Sequence, residues 1–452
     1  MKIAYGLYPG MVLQREGDLC RVRFALEDAC GPVTVIVPHG RLEEIGPDNG
    51  YRCFWLTGVP VGGPYTLTLS DEKDSLTLHD LYVGDVWLLG GQSNMEGVGY
   101  YRDIAGEVCQ RPELRQFSFD NAHWELAEPR LHRGWLSPEP YMQEHFAGHG
   151  GVHERGVGPG FFFAQEMYRR TGVPQGLIPC ALGGSNLGQW APEGSSDGYQ
   201  FYQMTMTRFK LCGSHVRGLF WYQGCAEANP DGVRLFTGRM QRLFDAFRRD
   251  TGNPALPIVQ VQIGRFTNTP PAEDRHWSGI REQQRRLTQE IPHLDTVAVT
   301  DAEYADGIHL QARYQMKLGK NAAESMFRLC FDPQERTSLP APSLASIRVV
   351  RLDDFGEALA ARFDNIHGGL VSPGVPSGFA LSRSPDKIDT YSIFRLELAA
   401  NTVFIRHESP EDALRDMYLS YYFGNGAYAN ITDMAGRPLP AFGPLKLRDW
   451  LA

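Results

Sequence analysis

A serine on a glycine-rich turn and a downstream carboxylate–imidazole pair are the residues of this chain that could do chemistry. The run Gly90–Gly97 reads Gly-Gly-Gln-Ser-Asn-Met-Glu-Gly and places Ser93 just after a largely apolar run, Val83–Leu89. Much further along the chain, Asp306 and His309 stand three residues apart. These residue types are the components of nucleophilic catalysis, and the sequence therefore predicts a serine esterase.

The chemistry accounts for each residue type. A serine hydroxyl is a weak nucleophile near neutral pH, so it needs a base, and histidine titrates in the right range. A carboxylate on the far side of the imidazole fixes its tautomer and stabilises the imidazolium that forms. Asp306 is close enough in sequence to share one tight turn with His309. The glycines around Ser93 allow the backbone angles of a sharp strand-to-helix turn.

Each motif also has a plain structural interpretation. The glycine-rich run around Ser93 is typical of a surface turn, and Asp306 and His309 are typical of a helix-capping pair. Either motif taken alone favours that interpretation. Both motifs together, with the family resemblance that follows, favour catalysis.

Four segments, in matching order and spacing, resemble the sialate O-acetylesterase-like branch of the SGNH hydrolases. They are a nucleophile block, a glycine block, a short tryptophan-containing block and the acid–base pair: Gly84–Gly97, Gly156–Gly160 with Gly176–Trp190, Trp221–Gly224, and Asp306–His309. Because these segments extend along the whole central region, the match is more specific than one short motif.

The resemblance implies a role for each motif residue. Ser93 would be the nucleophile, His309 the base and Asp306 the acid that orients the base. The oxyanion hole would be formed by the amide of Ser93, an amide of Gly183 or Gly184, and the side chain of Gln223. Substrate contacts are expected from Gln92, Asn94, Ser185, Trp190 and Glu227, with Trp190 at the rim of the substrate site.

The third block departs from the family pattern at one position. The family usually carries a glutamate directly after its Gln-Gly pair, whereas this chain has Cys225 there and its nearest carboxylate at Glu227. The change implies either altered substrate contacts or a rearrangement that brings Glu227 into the same space. We interpret Cys225 as a small buried residue after a strand rather than a catalytic thiol.

Composition and charge exclude several classes of protein. The chain has 452 residues, 42% of them hydrophobic, and a net charge of −9. Nucleic acid and anionic membrane are therefore not expected as partners, because the negative charge would repel both. No apolar stretch has the length of a membrane span, and the first ten residues lack the apolar core of a signal peptide. As given, the chain indicates a cytoplasmic protein, with a removed leader left open; a homo-oligomer is compatible with it.

No metal or other cofactor is expected. The eight cysteines are scattered without C-x-x-C pairs or histidine partners at zinc spacing, which favours free thiols. The histidines of one glycine-rich stretch could in principle share an ion: His132, His145, His149 and His153. Glycines in that stretch argue against a helix there, so a loop lining the cleft is favoured over a metal site.

Three stretches of the chain differ in their patterning. Residues 1–80 contain short alternating runs typical of a small β-sandwich, and residues 340–452 alternate in the same way. Residues 81–335 alternate apolar runs with helical patterns, including a helix with a buried stripe: Tyr314, Leu318, Ala322, Met326 and Leu329. The sequence therefore predicts an α/β protein in which a three-layer, flavodoxin-like SGNH domain with a parallel sheet carries β-sandwich-like domains at both ends.

The predicted parallel sheet brings the motifs together. Ser93, Gly183 and Gln223 each follow a predicted strand, and sites in such sheets form beyond the carboxyl ends of the strands. The segment 97–158 is predicted to be a long insertion, of a length that is usually either functional or disordered. Its aromatic residues could stack on sugar rings or anchor the loop: Trp124, Trp135, Tyr141 and Phe146.

The sequence as a whole favours a carbohydrate O-acetylesterase whose substrate is an acetylated mono- or oligosaccharide. Sialic acid, xylan fragments and mannan fragments all fit. Two alternatives stay open. A glycan-binding protein with a degenerate site would share the β domains but would not need all three triad residues, and an acyltransferase would share the triad but use an acceptor alcohol in place of water.

Overall fold

The computed structural model describes residues 1–134, 137–138, 140, 143, 155–267, 270, 273–331, 338–353, 356–390 and 392–451. The chain forms two compact units. Unit 1 consists of Met1–Trp221, Arg242–Ile258 and Gln311–Ala323, and unit 2 of Tyr222–Gln241, Val259–Leu310 and Glu324–Ala452. Each unit is described by itself.

The N-terminal part of unit 1 is built from β-strands. Their bounds are β1 (Lys2–Tyr5), β2 (Val12–Glu16), β3 (Leu19–Glu27), β4 (Thr34–Ile36), β5 (Arg41–Asp48), β6 (Tyr51–Pro60), β7 (Gly62–Ser70) and β8 (Ser75–Gly91). They pair antiparallel with one another, except that β2 and β8 run parallel. The alternation that predicts strands near residues 19–24, 33–37, 65–69 and 75–78 is confirmed. In β3, for example, Cys20, Val22 and Phe24 are buried and the residues between them are more exposed. Strands β1, β2, β5 and β6 were not predicted.

Strand β8 is continuous over 17 residues and joins two kinds of sheet. Its first part pairs antiparallel with β7, and its later part runs parallel to β2. From Leu81 onward every residue of β8 is buried, which fits a central strand covered on both faces. The predicted boundary near residue 80 falls inside this strand. The division into domains 1–80, 81–335 and 340–452 stays a prediction.

The remaining described elements up to residue 331 begin with a short helix and four strands, after which helices and strands alternate. They are α1 (Ser93–Glu96), β9 (Gly99–Tyr100), β10 (Leu114–Phe117), β11 (Trp124–Leu126), β12 (Arg155–Val157), α2 (Gly160–Thr171), β13 (Gln175–Pro179), α3 (Phe201–Leu211), β14 (Gly218–Tyr222), α4 (Pro230–Asp250), β15 (Ile258–Val261), α5 (Asp274–Glu290), β16 (Leu294–Val297) and α6 (Ala312–Phe331). The predicted buried stripe lies in α6.

The large sheet of unit 1 is mixed. Its strand order is β11-β10-β13-β8-β2-β3-β6-β5, with β14 also paired to β8. Strands β10, β13 and β8 are parallel neighbours, and β13 faces β8 from Gln175↔Asp85 to Pro179↔Leu89. Parallel strands end at the same edge, so the turns after β8 and β13 meet there. Helix α2 covers one face of the sheet and packs Phe163 edge-on against Trp87 at 5.2 Å.

A buried ion pair fixes the start of the parallel part of β8. Asp85 has no exposed surface, and its carboxylate accepts two hydrogen bonds from Arg15, at 2.9 and 3.0 Å. The indole of Trp87 donates to the side chain of Gln175 on β13 at 2.7 Å. Both interactions satisfy polar groups that burial would otherwise penalise, and together they hold the register of β8.

In unit 2, β15 pairs with β16, and a C-terminal β region follows. Its elements are β17 (Ser343–Asp353), β18 (Gly356–Asp364), β19 (Leu370–Val371), β20 (Phe379–Ser382), β21 (Ile393–Ala399), β22 (Thr402–His407), α7 (Glu411–Leu414), β23 (Tyr418–Tyr421), β24 (Thr432–Asp433) and β25 (Phe442–Lys446). They form sheets ordered β17-β18-β22-β21, β19-β24 and β20-β23-β25. This agrees with the alternating pattern read after residue 340.

Three chain-wide features bear on the expectations from sequence. All eight cysteines are free thiols. No helix within the described ranges has the length and apolar character needed to cross a membrane. The third feature is the architecture, which is a mixed α/β fold with one large mixed sheet and additional β-sheets in the C-terminal region.

Candidate active site

Ser93 is the first residue of the short helix α1 and follows β8 directly, as predicted for a strand-to-helix turn. Gly91 adopts φ +130° and Gly97 adopts φ +109°, which are angles that favour glycine. The amide of Gly97 donates to the carbonyl of Ser93 at 2.8 Å and closes the turn. Ser93 itself is half-buried, while Asn94 and Met95 beside it are buried.

The glycine block packs directly on this turn. A Cβ atom at Gly158 would lie 2.7 Å from the Met95 carbonyl, and one at Gly97 would collide with the Gly156 carbonyl. A Cβ atom at Gly160 would lie 2.5 Å from the Leu89 side chain. Glycine is therefore needed at these positions because the two backbone segments approach so closely. This is the physical reason why the first and second blocks occur together.

A buried carboxylate, Glu96, connects the nucleophile turn to the second glycine segment. Its carboxylate accepts a hydrogen bond from the backbone of Gly183, and a Cβ at Gly183 would lie 2.7 Å from its Oε2 and 3.7 Å from the Cβ of Ser93. Burial raises the pKa of Glu96 to about 7, and the bond from Gly183 only partly opposes this. Gly183 is buried, whereas Gly184 is exposed with φ +72°. Of the two glycines, Gly183 already has a partner for its amide.

Trp190 and Ser185 are joined to the glycine segment by buried hydrogen bonds. The Trp190 indole donates to the Ser185 hydroxyl at 2.9 Å, and that hydroxyl donates to the Leu182 carbonyl at 2.7 Å. Trp190 has no exposed surface and packs edge-on against Trp221 at 4.9 Å. The expected place of Trp190 at the substrate rim is therefore corrected. Its ring is a packing element inside unit 1.

Burial also applies to the other expected substrate contacts. The five side chains have exposed fractions between 0% and 4%: Gln92, Asn94, Ser185, Trp190 and Glu227. These residues are therefore largely buried in this conformation, and the role of Gln92, Asn94, Ser185 and Glu227 as substrate contacts stays a prediction. For Asn94, the structure provides a partner on α6, because the Gln315 side chain donates to the Asn94 carbonyl at 3.1 Å.

In unit 2, Asp306 and His309 form the pair that their spacing predicts. His309 Nδ1 lies 2.9 Å from Asp306 Oδ2, and the backbone amides of Ile308 and His309 donate to Asp306 Oδ1 at 3.0 and 2.9 Å. Partial burial opposes ionisation of Asp306. The hydrogen bonds from His309 and Ile308 outweigh it and hold the pKa of the carboxyl well below its usual range. The pair thus presents an ionised carboxylate to the imidazole.

Gln223 and Glu227 also lie together in unit 2. The Gln223 amide donates to Glu227 Oε1 at 3.3 Å, and Arg239 donates to Glu227 Oε2 at 3.4 Å. Glu227 ends the short 3-10 helix Cys225–Glu227, and this helical turn brings its carboxylate to the side chain of Gln223. Burial raises the pKa of Cys225 to about 12, which fits the interpretation of Cys225 as an inert thiol.

Part of the histidine-rich insertion can be described. His132 is buried beside Phe119, with ring centroids 5.4 Å apart, and burial lowers its pKa to about 3. Trp124 is buried in β11 against Phe117, so this aromatic anchors the chain. The other predicted loop residues lie outside the described residues: His145, His149, His153, Trp135, Tyr141 and Phe146. Among the residues that are described, no group of three or more His, Cys, Asp or Glu is arranged for a metal ion.

Sequence reasoning missed the residues that hold the motifs from inside. Glu96 stood within a quoted block, but its burial and its bond to Gly183 have no local sequence signal. Gln284 on α5 donates to the Gln223 carbonyl at 3.0 Å across 61 positions. For Gln284, the only signal in the sequence is that polar residues occur on an otherwise apolar face of α5. This pattern predicts buried hydrogen bonds but not their partners.

Replacing Glu96 by glutamine should change how stability depends on pH. With a raised pKa, the folded protein binds this proton more tightly than the unfolded chain, so ionisation of Glu96 destabilises the fold as pH rises from about 4.5 to about 7. Glu96→Gln lacks this effect. We therefore compare the unfolding free energy of Glu96→Gln with that of wild type at each pH. The difference should shift in favour of the variant by about 2 kcal/mol between pH 5 and pH 8.

Urea unfolding at both pH values measures this difference. The exposed Glu27 supplies the control, since Glu27→Gln should alter stability equally at both pH values. A pH-independent effect of Glu96→Gln would contradict the assigned burial.

Comparisons with known proteins agree with these observations. Residues 83–328 match the family described as carbohydrate esterase, sialic acid-specific acetylesterase. A probable carbohydrate esterase of Arabidopsis thaliana is 27% identical over 260 residues, 53% of this chain and 89% of that protein. The sialate O-acetylesterase of Homo sapiens is 24% identical over 254 residues, 48% of this chain and 47% of that protein, so the chain spans about half the length of that relative.

A solved structure shares the fold over 98% of the chain. The carbohydrate acetylesterase from Xanthomonas citri has a TM-score of 0.74 at 21% sequence identity, covering 98% of this chain and 99% of that chain. The family match itself covers more than half of the sequence. The chain therefore belongs to the carbohydrate esterase family of sialic acid-specific acetylesterases.

Proposed function

We propose that this protein is a carbohydrate O-acetylesterase that works by a Ser-His-Asp acyl-enzyme mechanism. The observation that carries the proposal is the Asp306–His309 pair, with an ionised carboxylate 2.9 Å from the imidazole, in a chain whose family match also includes the Ser93 turn. A carboxylate held in this way is what a general base requires.

The proposed reaction has two stages. In the first, Ser93 Oγ forms a bond to the acetyl carbonyl carbon while His309 accepts the serine proton, and the imidazolium then gives that proton to the departing sugar oxygen. In the second, water attacks the acetyl-enzyme with His309 again as base, and acetate leaves as Ser93 regains its proton. Asp306 stays ionised throughout and stabilises the imidazolium, which its low pKa supports.

The proposed oxyanion donors are the Ser93 amide, the Gly184 amide and the Gln223 side chain. Gly184 is preferred over Gly183 because Glu96 already accepts the Gly183 amide. Glu227 holds the amide of Gln223 and is in turn bonded to Arg239. Such fixed donors favour the charge that develops on the carbonyl oxygen in the transition state.

The proposed substrate is an acetylated mono- or oligosaccharide, either sialic acid or a plant-type oligosaccharide. The family description and the names of the relatives support this class. The mechanism uses only protein side chains, so it needs no metal. The finer architecture belongs to the same proposal: an SGNH-type three-layer domain with β-sandwich-like flanks, supported by the parallel pairing of β10, β13 and β8.

The triad assignment predicts graded losses of activity. Ser93→Ala should lower kcat about 10⁴-fold or more and abolish labelling by a fluorophosphonate probe, because no nucleophile remains. His309→Ala should cost nearly as much, and Asp306→Asn less, since the orienting acid is less essential than the base. Steady-state kinetics on 4-nitrophenyl acetate measure all three. The exposed Ser75 gives the control variant Ser75→Ala, and normal turnover by Ser93→Ala would exclude the assigned nucleophile.

Gln223 and Glu227 should act as one unit. Gln223→Ala is expected to lower kcat about a hundredfold with little change in KM, the range for loss of one oxyanion donor. Glu227→Ala should lower kcat through Gln223, and the double variant should lose little more than Gln223→Ala alone. Asp231→Asn, an exposed change on α4, is the control. If Gln223→Ala raises KM and leaves kcat unchanged, Gln223 is a substrate contact. If the losses of kcat in the double variant are additive, the two residues act independently.

The substrate class can be tested with two sets of esters. The enzyme should cleave 4-nitrophenyl acetate at least about tenfold faster than the butyrate ester, because two added methylenes would not fit a shallow acetyl site. Mass spectrometry should detect deacetylation of natively acetylated oligosaccharides, with free acetate as product. Transfer of acetyl to an added acceptor sugar would instead identify an acyltransferase, and glycan binding without turnover would identify a binding protein.

A further inference from the structure

We propose that Arg281, a fully buried arginine on α5, is the positioning residue that fixes the acid–base turn Asp306–His309 in place. The inference rests on the proposed function, because it assigns a purpose to the placement of His309. Every contact that supports it lies within unit 2.

The acid–base turn is closed by its own hydrogen bonds. Besides the bonds to Asp306 described above, the Ala305 amide donates to the His309 carbonyl at 2.7 Å. Such bonds fix the shape of the turn. They do not fix where the turn lies, because both partners of each bond move together. Its placement depends on contacts with other segments.

Two contacts attach the turn to the segment 263–267. The Thr267 amide donates to the Gly307 carbonyl at 2.9 Å, and the Arg265 amide donates to the Tyr304 hydroxyl at 2.7 Å. A Cβ atom at Gly264 would collide with that hydroxyl, so the tyrosine ring is seated against bare backbone. These contacts tie Gly307 of the turn, and Tyr304 two residues before it, to the position of residues 263–267.

Arg281 holds this segment with its guanidinium. Its Nε donates to the Ile263 carbonyl at 3.0 Å and its Nη2 donates to the Gly264 carbonyl at 2.5 Å. Its Nη1 donates to Tyr422 and Gly424 in the C-terminal β region, at 3.0 and 2.6 Å. One side chain thus joins the segment that carries the turn to the loop after β23. The Phe266 amide adds a bond to the Asn425 carbonyl at 2.7 Å.

The chemistry of this contact requires arginine. Arg281 is 1% exposed, and among the described residues it forms no ion pair with a carboxylate, so its donors are spent on backbone carbonyls. A planar guanidinium presents donors in several fixed directions, whereas a lysine ammonium is a single point on a flexible stem. Lysine at this position could not bridge Ile263, Gly264, Tyr422 and Gly424 at once.

A second buried arginine in unit 2 provides a matched control. Arg437 is 4% exposed and donates to the Pro340 carbonyl at 2.9 Å and the Leu339 carbonyl at 3.2 Å, besides pairing with Asp433. Like Arg281, it is a buried arginine that donates to backbone carbonyls of another segment, although it also pairs with a carboxylate. Its hydrogen-bond partners belong neither to segment 263–267 nor to the acid–base turn.

The experiment compares Arg281→Lys with Arg437→Lys in the full chain. Both variants should lower the melting temperature. At a temperature where both are folded, Arg281→Lys should lower kcat about ten- to a hundredfold with KM nearly unchanged, and Arg437→Lys should keep kcat within about twofold, because only the first displaces the base. Tyr304→Phe, which loses the hydroxyl bonded to Arg265, should lower kcat in the same way. Tyr421→Phe, in the buried C-terminal core, should not.

Hydrogen exchange gives a readout that does not depend on turnover. Arg281→Lys should speed exchange of the Thr267, Ile308 and His309 amides, and Arg437→Lys should leave them unchanged. Equal losses of kcat in the two arginine variants, or unchanged exchange at these amides in Arg281→Lys, would overturn the inference. If the wild-type protein hydrolyses no ester through Ser93, the proposed function fails, and the exchange comparison still decides whether Arg281 places the turn.

Discussion

The parallel pairing of β8 with β13 is the constraint on which the nucleophile turn depends. It ends both strands at one edge of the sheet, and so Ser93 and the segment at Gly183 become neighbours, with the bond from the Gly183 amide to Glu96 joining the two turns. The pairing is secured at its start by Asp85, whose buried carboxylate accepts two hydrogen bonds from Arg15 and lies 3.9 Å from Arg217 Nε. The glycines of the motifs then follow from the tight approach of the backbone segments at that edge.

Buried polar groups place the reactive ones in both units. Glu96 accepts a hydrogen bond from the Gly183 amide, and Glu227 accepts one from the Gln223 side chain. Arg281 donates to four backbone carbonyls. Removing such groups from water costs free energy unless they are hydrogen-bonded. Each buried group therefore limits the neighbouring residues to positions that complete its hydrogen bonds. This restriction is useful in a catalyst, because donors that are already oriented need no rearrangement as charge develops.

The sequence predicted best what depends on local pattern. Alternation identified strands such as β3, β7, β17 and β18, and the stripe on α6 identified a helix. The spacing of Asp306 and His309 predicted a shared turn, because residues three apart can hydrogen-bond to each other within one turn. Prediction failed where distance in sequence separates partners: Trp190 is aromatic and next to a motif, yet its burial depends on Trp221. The partners of Gln284 and Arg281 lie up to 143 positions away, and no local pattern contains them.

The continuity of β8 has a practical consequence for work with fragments of this protein. A truncated chain that starts at residue 81 would retain the later half of β8 but lose β2, its parallel neighbour, and Arg15, the partner of Asp85. It would expose the part of β8 that β2 covers and remove the two hydrogen bonds that Arg15 donates to Asp85, leaving Arg217 Nε 3.9 Å from that carboxylate. Unprotected strand edges recruit other chains. Such a fragment should be insoluble even though it contains every residue of the family match.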